Sequence, residues 1–170
     1  MNGPVSIGVI GCGSVAQHAY FPLIVNLIAH GHVRRVVASD TDQSRLYEVR
    51  SQFPVDKVTT DADELLADDV DIVLVLTSMG AHAELATRAL KAGKHVLVEK
   101  PMGTTLEAAR ALLETAKDAP GWLVCAPHVQ LSPDYQEMLR RISSGAIGKP
   151  LLARARYGWD GPDWGQWFYG

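Results

Sequence analysis

Apolar and polar positions along the chain switch repeatedly between a strand-like and a helix-like period. Val5–Ile10 is apolar, rich in β-branched residues and closed by Gly11, the mark of a buried strand. A helical pattern opens near Ser14 and runs to Tyr20, where Pro22 is expected to kink or restart it; a second piece, Leu23–His30, ends against Gly31. Val33–Ser39 predicts a second strand, Gln43–Phe53 a helix stopped by Pro54, Lys57–Thr59 a short strand and Ala62–Ala67 a short helix. Asp71–Thr77 (DIVLVLT) is the strongest strand signal, apolar on both faces as a central parallel strand requires. Ala81–Ala92 predicts a helix, His95–Glu99 a strand, Thr104–Ala119 a helix with Thr104 and Glu107 as a capping box, and Trp122–Ala126 a strand. Ser132 and Pro133 read as the cap and first residue of a helix ending at Gly145, and Leu151–Trp159 as a last strand.

Strands and helices thus alternate from residue 5 to about residue 145, which predicts an α/β fold with a doubly wound parallel sheet covered by helices on both faces. No internal repeat or low-complexity tract interrupts the alternation. The one candidate linker is Gly145–Pro150, GAIGKP. Six of the twelve aromatic residues fall in the last fourteen positions (Tyr157, Trp159, Trp164, Trp167, Phe168, Tyr169), whereas termini are usually polar and mobile. The expectation is one complete domain over residues 1–150, with 151–170 as the beginning of a second α/β domain truncated here.

Composition narrows the function classes. The 170 residues are 47% apolar and 21% charged, an ordinary globular balance. A net charge of −3 leaves no electrostatic footprint for nucleic acid or an anionic membrane surface. The two cysteines, Cys12 and Cys125, form neither a disulfide framework nor a metal-ligand spacing, and no His/Cys/Asp cluster is spaced for a metal. No basic segment precedes the first apolar run, and no run approaches the roughly 18 residues of a membrane helix. These features imply a soluble protein of a reducing cytoplasm. The acidic group Asp68, Asp69 and Asp71 reads as a solvated turn before a strand.

The chemistry begins at Gly11-Cys12-Gly13-Ser14-Val15-Ala16, a G-x-G-x-x-A pattern between a predicted strand and a predicted helix. Gly11 permits the tight turn, Gly13 lets the backbone approach a pyrophosphate, and Ala16 allows close helix–strand packing. The helix N-terminus presents N–H groups and partial positive charge to phosphates. Asp40 ends the second strand; there a carboxylate accepts hydrogen bonds from the adenosine ribose hydroxyls and repels a 2′-phosphate, favouring NAD over NADP. Arg45 tempers that preference, since a folded-back loop would bring it to a 2′-phosphate. The other reading of Asp40 is a turn residue capping the next helix, a role open to Asp42.

Glu99 and Lys100 follow the fifth strand and precede Pro101. Ligands of open parallel sheets bind beyond the carboxyl ends of the strands. Removing a hydride from a carbinol carbon requires the hydroxyl proton to leave, and an ammonium there lowers the cost of the developing alkoxide or relays the proton. Lys100 has the chemistry for this, with Glu99 orienting it; a solvated lysine at a strand end is the plainer alternative.

Taken in order, IGVIGCGSVA at 7–16, Asp40, DIVLVLTSMGAHAELATRALKAGKHVLVEKP at 71–101 and SPDYQEMLRRISSGAIGKPLLARARYGW at 132–159 resemble the glucose–fructose oxidoreductase, inositol dehydrogenase and MocA-like (Gfo/Idh/MocA) family. The resemblance implies a Rossmann-type N-terminal domain binding NAD, followed by a C-terminal α/β domain that carries much of the substrate site and the homo-oligomer contacts. It implies that Lys100 is the active-site lysine near the nicotinamide, that Lys100–Pro101 is a cis bond, and that Thr77, Ser78 and His82 line the cofactor; for His82, a helix-start cap is the alternative. The chain departs from the family pattern at Thr77-Ser78-Met79, where Thr-Pro-Asn is usual, and at His128-Val129-Gln130, where Asn-Arg-Arg or similar is frequent. His128 and Gln130 are neutral and suited to hydrogen-bonding a polyol or sugar, or else to bonding backbone in a strand–helix loop. Trp167 is a candidate for stacking on a substrate ring. Three functions compete: the cofactor half of an NAD-dependent oxidoreductase acting on the CH–OH group of a sugar, polyol or related compound; a redox-neutral glycosidase using NAD; and a non-catalytic dinucleotide sensor or regulator.

Overall fold

In a computed structural model of the chain, residues 3–126, 130–156 and 158 are described. They fall into two compact units divided after Ala126.

The first unit is built on a parallel sheet. Its strands are β1 (Val5–Ile10), β2 (Val33–Ser39), β3 (Lys57–Thr59), β4 (Ile72–Val75), β5 (His95–Val98) and β6 (Leu123–Cys125), in the spatial order β3-β2-β1-β4-β5-β6. The order reverses direction between β1 and β4, the switch point at which such sheets open a crevice at their carboxyl edge. The connecting helices are α1 (Phe21–Ala29), α2 (Gln43–Gln52), α3 (Ala62–Ala67), α4 (His82–Lys91) and α5 (Leu106–Asp118).

Alternation along the strands feeds two apolar layers. Ile10, Val37, Val73 and Val75 pack with Leu65, Leu85, Leu90 and Leu112 from α3, α4 and α5. Their neighbours Val9, Val36, Ala38 and Leu74 point the other way, onto Phe21, Ile24, Leu46 and Val49 from α1 and α2. Central strands apolar on both faces are therefore what a sheet between two helical layers needs.

In the first unit one local expectation, at Pro22, holds and two change. Pro22 marks a restart, one of its two expected roles: a π-helical turn, Ala16–Tyr20, leads into α1, and Pro22 stands in the first turn of α1, where its missing N–H is no loss. The cap of α5 is Thr105, whose Oγ1 accepts the Ala108 N–H at 3.1 Å, and not Thr104. The acidic turn before β4 is bound rather than merely solvated. Asp68 accepts from Arg35 (2.6 Å) and Lys57 (2.9 Å), and Asp71 accepts the Ser6 N–H (2.7 Å). Arg35 holds the Asp68 carboxyl well below the usual range, with Lys57 adding to it.

In the second unit, α6 (Pro133–Ser143) starts as expected at Ser132, whose Oγ accepts the Tyr135 N–H, and is followed by Gly145 at φ +73°. Leu151–Arg156 carry no strand, contrary to their pattern; Tyr157 and Trp159 lie outside the described residues.

Candidate functional site

Four of the connections that leave the carboxyl edge of the sheet carry the residues singled out by sequence. After β1 the chain turns through Gly11 at φ +95°, and a Cβ there would lie 2.7 Å from the Leu76 and Thr77 backbone, so no side chain fits. Gly13 differs: a Cβ on it would meet nothing within 4 Å, leaving open space above the loop. The helix starts at Ser14, and its first backbone bond is Gln17 N–H to Gly13 carbonyl (3.0 Å), so the N–H groups of Ser14, Val15 and Ala16 have no partner in their own helix. Ala16 is fully buried beneath them, and Val15 is 41% exposed. An open glycine surface beside directed N–H groups suits a pyrophosphate.

Asp40 follows β2 and is almost wholly buried. Its Oδ2 accepts the Cys12 N–H at 2.7 Å and its Oδ1 the Asp42 N–H at 2.9 Å, and Arg45 Nη1 lies 3.6 Å from Oδ2. The carboxylate thus ties the glycine loop to β2, and each oxygen keeps a second lone pair for a ribose hydroxyl. The capping of α2 falls to Asp42, which accepts the Ser44 N–H at 2.9 Å. Cys12 is fully buried; burial first, then the Asp40 charge, pushes its thiol up to about 12, so it packs rather than reacts.

Beyond β4, Thr77 is half-buried and Ser78 exposed. His82, at the start of α4, is only 2% exposed. Its Nδ1 lies 2.8 Å from the Pro101 carbonyl and its Nε2 2.9 Å from the Thr77 carbonyl. The ring therefore joins the β4 loop to the Lys100 turn, and both nitrogens are engaged by protein. Beyond β5, Glu99 is buried and Lys100 exposed, and the Lys100–Pro101 bond is cis. Glu99 Oε2 accepts the Lys100 N–H at 2.8 Å, and Oε1 accepts the Tyr20 hydroxyl at 2.9 Å. Tyr20 was not singled out by sequence: nothing in its neighbourhood signals a partner 79 positions away. Gln130 belongs to the second unit, where its carbonyl accepts from Gln136; His128 and Trp167 lie outside the described residues. Cys12 and Cys125 are both free thiols. Among the described residues no group of His, Cys, Asp and Glu is arranged for a metal, and no helix is long and apolar enough to cross a membrane.

A parallel sheet with a glycine-lined helix start at its switch point defines a Rossmann-type nucleotide-binding domain. Residues 5–126 match the oxidoreductase family with an NAD-binding Rossmann fold, and the chain belongs to that family, the Gfo/Idh/MocA proteins. It is 32% identical over 148 residues to a 1,5-anhydro-D-fructose reductase of Ensifer adhaerens, and the match covers 86% of this chain and 43% of that protein. It is 33% identical over 150 residues to a myo-inositol 2-dehydrogenase of Thermotoga maritima, again covering 87% and 43%. A crystal structure of scyllo-inositol dehydrogenase from Lactobacillus casei with NAD(H) and scyllo-inositol superposes with a TM-score of 0.74 at 25% identity, over 85% of this chain and 42% of that one. The chain thus spans less than half the length of these relatives.

Proposed function

We propose that the chain is the dinucleotide-binding part of an NAD-dependent dehydrogenase acting on the CH–OH group of a sugar, polyol or related small molecule. The observation that carries this is the convergence of the glycine loop, Asp40 and Lys100 on one edge of the sheet. The relatives named above as acting on inositol or anhydrofructose support the substrate class. In this reading residues 1–150 form the dinucleotide-binding domain, and residues 151–170 open a substrate domain that also makes homo-oligomer contacts. The two free thiols agree with a cytoplasmic setting.

The N–H groups after Gly13 hold the pyrophosphate, and Asp40 takes the adenosine ribose. Its charge disfavours a 2′-phosphate, hence NAD over NADP. Thr77 and Ser78 border the nicotinamide end. Bound NAD(H) supplies the hydride acceptor or donor. Lys100 places its ammonium beside the reacting hydroxyl, stabilising alkoxide character and moving the proton at that oxygen. His128, Gln130 and Trp167 complete the proposal as substrate contacts.

The test is calorimetric titration of the chain with NADH and NADPH. NADH is expected to bind about tenfold or more tightly than NADPH, a difference of about 1.4 kcal/mol. Gly13→Val is expected to abolish binding by filling the space over the loop, whereas Lys100→Ala leaves it nearly intact. A wild-type preference for NADPH, or no dinucleotide binding at all, overturns the reading.

A further inference from the structure

We propose that Tyr20 is a positioning residue for Lys100, acting through Glu99 to tie the phosphate-loop helix to the turn that carries the ammonium. This rests on the role assigned to Lys100 above.

The tie begins with an irregularity of the helix. Between Ala16 and Tyr20 the backbone runs as a π-turn, in which the Phe21 N–H reaches back to the Ala16 carbonyl. A π-turn inserts one residue into the helical repeat and re-aims the side chains around it; such turns are frequent at functional sites. Here it ends on Tyr20, whose hydroxyl donates to Glu99 Oε1 at 2.9 Å. Glu99 is itself seated by its backbone: its N–H donates to the Val75 carbonyl at 3.0 Å, continuing the β4–β5 ladder one residue past the strand. Its second oxygen, Oε2, accepts the Lys100 N–H at 2.8 Å. A carboxylate only 6% exposed needs donors on its oxygens, and the Tyr20 hydroxyl and the Lys100 N–H are two of its partners. Burial first, and then the Glu99 hydrogen bond, pushes the Tyr20 phenol far up from its ordinary value, so it remains a donor throughout the working range of pH. Glu99 therefore holds both the helix that begins at the glycine loop and the backbone of the residue that would meet the substrate. The direction in which Lys100 leaves the sheet is set before any ligand arrives.

Tyr20→Phe keeps the ring and deletes only the donor; Glu99→Gln serves as the second variant. The first readout is amide hydrogen exchange of Lys100 in the ligand-free chain. Both variants are expected to speed it about tenfold while Val96 and Val98 in β5 keep their wild-type rates, and the double variant is expected to add little to either single change. The second readout is the pH profile of acetic anhydride labelling at Lys100. It is expected to move in Tyr20→Phe while that of exposed Lys91 does not. Unchanged Lys100 exchange and labelling in both variants overturns the proposal, and so does a uniform rise along β5, which is the signature of simple packing. Neither readout uses a dinucleotide, so their failure is distinct from failure of the NADH titration.

Discussion

Asp40 serves the loop before it serves any ligand. Its oxygens accept the Cys12 and Asp42 N–H groups, and the Cys12 amide is buried with it. Asp40→Ala is therefore expected to act twice. It leaves a buried donor unpaired, which costs about 1–3 kcal/mol, read as a lowered midpoint in urea unfolding. It also removes the charge that disfavours a 2′-phosphate, so the NADH/NADPH affinity ratio is expected to fall towards unity by titration. Loss of stability with an unchanged ratio would assign Asp40 to the loop alone. The sequence located this carboxylate at the end of its strand because strand ends and acidic residues are local features. The grip on Cys12 was not legible, since it spans 28 positions and forms only once β1 and β2 are side by side.

At the level of elements, periodicity was a good guide wherever a helix or strand buries one face, and a poor one at ends and irregularities. Thr104 and Glu107 have capping-box spacing, yet Thr105 is the residue with extended backbone before the first turn, and its hydroxyl reaches Ala108. The two threonines offer the same chemistry, and only the path of the chain after Gly103 separates them. Thr105→Ala is expected to cost about 1 kcal/mol of stability by chemical denaturation, and Thr104→Ala less than about 0.5 kcal/mol. Equal costs would contradict the assignment of the cap. The π-turn before α1 was illegible, because its sequence departs from no helical rule, but Pro22 did mark the place where the helix restarts as α1. Leu151–Arg156 show the reverse error, since an alternating pattern describes one side of a pairing and supplies no neighbouring strand.

Across the first unit, the two edges of the sheet carry different work. The carboxyl edge holds the loops of the candidate site, and the amino edge is closed by charge. There Asp68 accepts from Arg35 at the start of β2 and from Lys57 at the start of β3, while Lys94, just before β5, donates to the Asp68 carbonyl at 3.0 Å. Asp71 beside it engages Arg34 and the Ser6 N–H on β1. One turn thus fastens five strands at their beginnings. The Asp68 side chain is 13% exposed, so solvent screens its pairs less than it screens ordinary surface ones. Its carboxyl titrates below the usual range because Arg35 and Lys57 favour the charged form. A folded-state value below the unfolded one means that the unfolded chain binds the proton first as pH falls. The stabilisation is therefore complete above the ordinary carboxylate range and is lost as acidification passes down through it to the lowered folded value. Asp68→Asn is expected to reduce stability at neutral pH by about 1–3 kcal/mol and to flatten the decline of stability between about pH 5 and pH 2. Because the turn lies at the edge away from the glycine loop, NADH affinity is expected to stay at its wild-type value. Urea unfolding across pH, paired with one titration at neutral pH, reads both; a variant that keeps the wild-type acid slope would show that Asp68 is not the group that couples this sheet to pH.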